Sequence, residues 1–196
     1  MNRINYSRNA GVLLLLIVFI FVTSPLLGDV DARENESSEI ITTTLTIDPN
    51  TSNIFVGDSL SVDITVSDVS DLYGVSLEIT FDPTVVIVVD ADPGETGVQI
   101  GEGSCPVADF VVFNEVNNTT GVINYDISSL WPSEPCNGIG VVASITFQGL
   151  GEGSSAVHFN NWLLSNTDGI SIETSTQDGS IAVAATNQIF LPLVLK

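Results

Sequence analysis

The sequence predicts an all-β domain of about eight or nine short strands, arranged as a sandwich or barrel of two packed sheets. Three observations carry this. Apolar and polar residues alternate with a period of two over segment after segment. Clusters of Gly, Pro, Asn and Asp interrupt the segments at short intervals. No run of about ten or more residues shows a convincing helical period.

The elements follow in chain order. Arg3 and Arg8 precede an uninterrupted apolar run from Gly11 to Val22, which Thr23, Ser24 and Pro25 end. Twelve residues at helical rise reach roughly 18 Å, short of the roughly 30 Å hydrocarbon layer. Residues 1–32 therefore read as a secretory signal peptide, with cleavage after Gly28 or after Ala32 both fitting the small-residue rule. An uncleaved anchor extending through Leu26 and Leu27 is the alternative. After cleavage no insertion into the membrane is expected, and the protein is placed outside the cell, secreted or on its surface. Residues 33–42 are polar and form a linker; 43–185 form the domain; 186–196 form an apolar tail ending in Lys196. That tail reads either as a segment packed back on the domain or as an interaction or sorting tag.

Within the domain, Leu60, Val62, Ile64 and Val66 alternate with Ser61, Asp63 and Thr65, the mark of a strand with one wet face. Val75, Leu77, Ile79 and Phe81 alternate with Ser76, Glu78 and Thr80 in the same way, and Asp82-Pro83 ends that strand. Val85–Val89 is a continuous β-branched run suited to a covered strand. Further strands are expected at 110–113, 121–127, 141–147, 156–159 and 180–183. Gly-Glu-Gly occurs at 101–103 and again at 151–153, without the longer self-similarity that a duplication would leave.

The four basic residues are Arg3, Arg8, Arg33 and Lys196, so nothing from Glu34 to Leu195 is Lys or Arg. That stretch carries 22 of the 24 acidic residues, only Asp29 and Asp31 preceding it. Such a surface repels phosphate, which excludes nucleic acid as a partner; cations, neutral sugars and basic proteins stay open. Solubility alone also accounts for the acidity. Cys105 and Cys136 are the only cysteines, and their even count in an exported chain predicts one disulfide closing a loop of about thirty residues.

Read in order, the segments resemble the cohesin domain family. Ile54–Val62, with its Gly57-Asp58 turn, is similar to the family's opening pattern. Leu72–Pro83 resembles its most recognisable stretch, an alternating strand closing on aromatic-Asp-Pro, followed here by Val85–Val89 and Pro93-Gly94. Gly140–Phe147 and Asp178–Val183 resemble later strands, and the likeness covers about residues 43 to 184. The resemblance implies a two-sheet jelly-roll β-sandwich of about nine strands. It further implies a non-catalytic receptor whose sheet face grips a calcium-loaded dockerin-type module in a polysaccharide-related or cell-surface assembly. Carried onto this chain, the partner-binding face is Ser76, Glu78 and Thr80. Where dockerin-binding members present polar Asn and Asp, this chain has Gly74 and Ser76.

The fold is shared with cellulose-binding modules, so direct carbohydrate binding is the rival reading. Trp131 and Tyr73 are its candidate contacts, because a sugar ring stacks its C–H face on an aromatic surface. For Trp131 the alternative is packing over the disulfide; Trp162 is expected in the core or at an edge, and Tyr125 in the core. A structural surface-layer component is the third reading. Asp90, Asp92 and Glu95 place three carboxylates on a turn with Pro93-Gly94; they read as a structural calcium site or as an ordinary solvated acidic turn. No other cofactor is expected. His158 is the single histidine and sits in a strand, and no Gly-x-Ser-x-Gly elbow accompanies it, so an enzyme is not expected. Asn35, Asn50, Asn117 and Asn118 match the glycosylation pattern by chance.

Overall fold

In the computed structural model the described residues are 42–185. The segment read as a signal peptide, nearly all of the linker and the apolar tail lie outside them. Twelve strands follow one another in the domain: β1 (Thr43–Asp48), β2 (Thr51–Phe55), β3 (Ser59–Thr80), β4 (Val86–Val88), β5 (Gly101–Glu102) and β6 (Phe110–Asn117). Then come β7 (Val122–Ser128), β8 (Cys136–Gly149), β9 (Gly153–Asn166), β10 (Ser171–Ile172), β11 (Thr174–Gln177) and β12 (Gly179–Ala184). No helix occurs among them. The domain is all-β, and the strand count exceeds the expected nine because two strands are two-residue pieces and two others are broken at corners.

The two alternating segments around residues 60–66 and 75–81 are one strand of 22 residues. Its first half pairs with β1 and with β8, and its second half with β7 and β9. Between them the register with β8 shifts at Val66/Val69 and again at Val69/Leu72. Asp68 and Asp71 sit in these bulges with φ of 54° and 62°. Aspartate tolerates the left-handed region better than most residues, and a bulge there turns the strand from one sheet into the other.

The chain makes the same passage twice more. β1 pairs with β11 in parallel and β2 pairs with β12 in parallel. Both members of this two-strand ribbon break together, at Pro49-Asn50 and at Asp178, where Ser180 N–H donates to the Asn50 carbonyl (2.9 Å). The corner is tight. A Cβ on Gly179 would lie 2.6 Å from Cγ2 of Ile47, so only glycine fits. The first sheet is thus β11-β1-β3-β8 with β4 and β5 on β8, and the second is β6-β7-β3-β9-β12-β2.

Between the sheets lie Leu45, Ile47, Val62, Ile64, Val75, Leu77, Ile79, Ile123, Tyr125, Ile145, Phe147, Phe159 and Ile181, all buried. The period-two pattern of each strand supplies one side of this layer. Phe81 and Phe147 meet edge to face with ring centroids 5.6 Å apart. Tyr125 is fully buried as expected, its hydroxyl toward the Val142 carbonyl at 3.5 Å. Burial, and secondarily the charge of Glu102, push its phenol well above the usual range.

Cys105 and Cys136 form the expected disulfide, with Cα atoms 5.3 Å apart. It sits at the bend, since Cys136 pairs with Leu72 of β3. Gly140 is required beside it: a Cβ there would fall 2.3 Å from the Cβ of Cys105. Two side-chain amides complete the edges. Asn118 accepts from Val88 N–H (2.8 Å) and donates to the Val88 carbonyl (2.9 Å), linking the end of β6 to β4. Asn114 does the same for both backbone groups of Ile100. Each amide mimics one residue of a missing strand.

Candidate functional site

The second half of β3 alternates cleanly. Val75, Leu77 and Ile79 are buried, while Ser76, Glu78 and Thr80 lie half-exposed on the outer face. Register places Asp126 and Asn124 of β7 beside Ser76 and Glu78, with Leu163 and Asn161 of β9 on the other side. Beyond β7, the bulge in β6 sets Phe113 opposite Asp126 and Phe110 opposite Ser128, while Glu115 faces Asn124. The expected face residues are therefore coplanar and central in a four-strand surface. Glu78 is not idle: the side-chain amide of Asn160 donates to its carboxylate.

Two borders of this surface are apolar. Phe110, Val112 and Phe113 on β6 and Leu163 on β9 are exposed, and a shallow depression of about 270 Å³ lies between them. Its floor is Gly74, Ser76, Asp126 and Ser128, and its walls include Val112 and Leu163. Gly74 is bare for a reason the sequence does not display. A Cβ there would come 2.6 Å from the hydroxyl oxygen of Ser165 on the adjacent strand, so the polar group at this point belongs to β9.

The outer face of the first sheet is different. Ser61, Asp63 and Thr65 of β3 stand beside Thr46 of β1 and beside Ser144 and Thr146 of β8. These groups bond within the sheet: Ser144 to Asp63, Thr65 to the Thr46 carbonyl, Thr44 to Ser175. Among the described residues, no exposed large apolar side chain comes from β1, from β3 or from residues 140–149 of β8.

Trp131 does not fold over the disulfide. It is 88 % exposed in the turn after β7, where Leu130 N–H donates to Asp109 (2.9 Å). That bond, with a second from the Ser133 hydroxyl, holds the Asp109 carboxyl below its usual range. The turn is pinned at its base and presents the indole to solvent. Tyr73 is half-buried in β3, its carbonyl accepting from Ser129 N–H (2.8 Å). Trp162 lies on β9 opposite Leu77 of β3 and is partly exposed, its Nε1–H donating to the Thr174 carbonyl (3.2 Å). His158 Nδ1 and Asp178 Oδ2 are 2.6 Å apart on an exposed strand surface.

The acidic turn is internally bonded. Asp90 Oδ1 accepts from the N–H groups of Asp92 and Gln99, both at 3.1 Å, and Asp92 Oδ1 accepts from Gly94 N–H. Among the described residues no group of three or more His, Cys, Asp or Glu side chains is gathered closely enough to hold a metal ion. Asp92 and Glu95 instead line a groove of about 600 Å³ together with Glu102 and Glu115. That groove is invisible in the sequence, because its walls come from two segments, residues 91–102 and 111–115, that only the fold sets side by side.

A family model described as the cohesin domain matches residues 43–183. The chain belongs to the cohesin domain family. Solved cohesins share its fold. A type II cohesin from the cellulosome of Acetivibrio cellulolyticus superposes with a TM-score of 0.60 at 21% identity, covering 71% of this chain and 95% of that one. The third ScaC cohesin of the same organism, solved with the ScaB dockerin, gives 0.57 at 22% identity, with 74% and 100% covered. A non-cellulosomal cohesin from the archaeon Archaeoglobus fulgidus gives 0.57 at 16% identity, with 73% and 91% covered. No curated protein sequence matches the chain. As a cohesin domain the sandwich is a module of a non-catalytic, protein-binding family.

Proposed function

We propose that this cohesin domain is an extracellular attachment module that binds a dockerin-type partner through the outer face of β6, β7, β9 and the second half of β3. The observation that carries the reading is the concentration of exposed apolar side chains on this face and their absence from strands β1 and β3 and from residues 140–149 of β8 on the other. A protein interface combines apolar contacts with polar groups that fix orientation, and the depression offers apolar walls in Val112 and Leu163 around a polar floor of Ser76, Asp126 and Ser128. A disulfide-bonded, acidic sandwich without internal Lys or Arg suits a secreted or cell-surface setting, in an assembly concerned with polysaccharide or the cell surface.

The test is calorimetric titration against a panel of calcium-loaded dockerin modules. At least one is expected to bind, and Phe113→Asp with Leu163→Asp is expected to weaken it by about 2 kcal/mol or more, roughly thirtyfold. Thr65→Asp on the opposite face should leave affinity within about twofold. Binding that is indifferent to the first pair and lost with the second would assign the partner to the wrong face. Binding to none of the panel would remove the reading.

The exposure of Trp131 supports a second reading, carbohydrate contact at the end of the sandwich. Retardation on polysaccharide affinity gels that disappears in Trp131→Ala would favour it over the first.

A further inference from the structure

The second sheet ends on β12 and β2, at the border opposite β6. These two strands run parallel, with Ala182 beside Asn53 and Ala184 beside Phe55. Ile181 and Val183 are buried, so Ala182 and Ala184 face outward, and on β2 the outward residues are Asn53 and Phe55. Small side chains thus stand next to a large one. The result is a groove of about 160 Å³ lined by Asn53, Ile54, Phe55, Ala182, Val183 and Ala184. None of these residues is charged, although the domain is acidic throughout, and Phe55 is 48 % exposed.

An apolar groove does not by itself name its occupant, but here the chain leads out of it. Ala184 belongs to the lining, and its carbonyl accepts from Val56 N–H at 3.0 Å. One residue later the described residues end, and the sequence continues Thr186-Asn187-Gln188, then Ile189-Phe190-Leu191-Pro192-Leu193-Val194-Leu195. Three polar residues with asparagine at their centre suit a reversal of direction. A return along the outer face has to cover only the roughly 7 Å between Ala184 and Ala182. Five extended residues beyond Ala185 reach roughly 17 Å, so Phe190 has chain to spare.

Three further properties match segment to groove. Residues 186–195 carry no charge, so the acidity of the domain does not repel them. Both edges of β12 are already paired, to β9 and to β2, so a returning segment lies on the face and adds no strand beside β12. A tether this short holds the segment at an effective concentration in the millimolar range, enough for a shallow apolar groove to retain it.

We propose that residues 189–191 fold back onto the domain and seat the Phe190 side chain in the groove between Phe55 and Ala182. The site does not depend on the dockerin-type reading, since it lies on β12 and β2 rather than over Gly74 and Ser76.

The experiment is solution NMR on the isotopically labelled mature chain, compared with two single variants. Phe190→Asp lies outside the described domain, and Ala182→Glu adds a carboxylate at an outward position, so both leave the core untouched. In the unaltered chain the amides of residues 189–191 are expected to exchange at least about tenfold more slowly than in either variant. The shifts should be reciprocal: Phe190→Asp moves the amides of Asn53, Phe55 and Ala184, and Ala182→Glu moves those of Ile189 and Phe190. Gly74 and Ser76 should stay still in both, and the unaltered spectrum should not change on dilution. Exchange at 189–191 as fast in the unaltered chain as in Phe190→Asp overturns the proposal. So does protection that fades on dilution while the sedimenting mass falls by half, which would assign the groove to the segment of a second copy. Protection gained only on adding phosphatidylcholine vesicles, with Phe55 unmoved, would make the segment a lipid contact and equally overturn it.

Discussion

The two halves of β3 carry the same alternation, Ser-x-Asp-x-Thr in the first and Ser-x-Glu-x-Thr in the second, yet their outer faces have opposite characters. The first half lies between β1 and β8, and its outward residues bond to them, Thr65 donating to the Thr46 carbonyl and Asp63 accepting from the Ser144 hydroxyl. The second half lies between β7 and β9, with β6 beyond, and those strands bring Leu163, Phe110 and Phe113 to the surface. A strand's own sequence thus says which residues face outward and little about what the face can do. Character is conferred by neighbours. The bend at Asp68–Asp71 is what gives one strand two sets of neighbours.

The largest effect is expected at the disulfide. Cys105→Ser with Cys136→Ser should lower stability by about 3.5 kcal/mol, the loop-closure value for a ring of this size. The pair anchors β8 next to Leu72, so hydrogen exchange should accelerate first around residues 66–72 and 136–141, with β7 and β9 still protected. Uniform loosening of both sheets would mean that the bend is not a separate unit and that the two faces are not independently held. Urea titration and exchange mass spectrometry decide between these.

A smaller effect is expected at Asn118. Asn118→Ala strips both backbone bonds from Val88 and should cost about 1–3 kcal/mol. Because this amide ties the end of β6 to β4, the loss should free the border of the apolar face without touching β3. Retained urea stability in the variant would mean that solvent replaces the amide, and that β6 is held by β7 alone.

Much of this architecture is legible in the sequence, and the exceptions share a cause. Alternation finds both halves of β3, β7 and β8, because one face of each meets the core and burial enforces a period of two. It also selects Ser76, Glu78 and Thr80 as outward. It does not join the halves of β3, since Asp68-Val69-Ser70-Asp71 reads as turn chemistry whether it ends a strand or bulges within one. Asn114 and Asn118 pass for ordinary loop or strand polar residues, because their function depends on backbone groups 14 and 30 residues away. The bare position at Gly74 looks like a missing contact until Ser165 is placed beside it. The groove between residues 91–102 and 111–115 gives no local signal at all. What escapes a reading of the chain is what two distant segments make together.

The bend itself offers the finest test. Asp68 and Asp71 share a left-handed backbone, which an ordinary L-residue holds at a cost of about 1 kcal/mol and glycine adopts without strain. Their other attachments differ. Asp68 contributes its carbonyl, which accepts from the Thr43 hydroxyl at 3.1 Å, and a glycine keeps that carbonyl. Asp71 contributes its carboxylate, which accepts from the Thr167 hydroxyl at 2.8 Å and from Thr167 N–H at 3.3 Å, fastening the bend to the turn after β9. Relief of strain is common to both substitutions, whereas loss of an acceptor occurs only at the second. Asp68→Gly is therefore expected to leave stability unchanged or raise it by up to about 1 kcal/mol. Asp71→Gly should lower it by about 1 kcal/mol, the loss of two exposed charge-assisted bonds outweighing the gain. If both variants move in the same direction, the bend is governed by backbone conformation alone and the Asp71–Thr167 link is incidental. If they diverge as expected, the corner is secured to the second sheet by a side chain, and the orientation of the two faces depends on it.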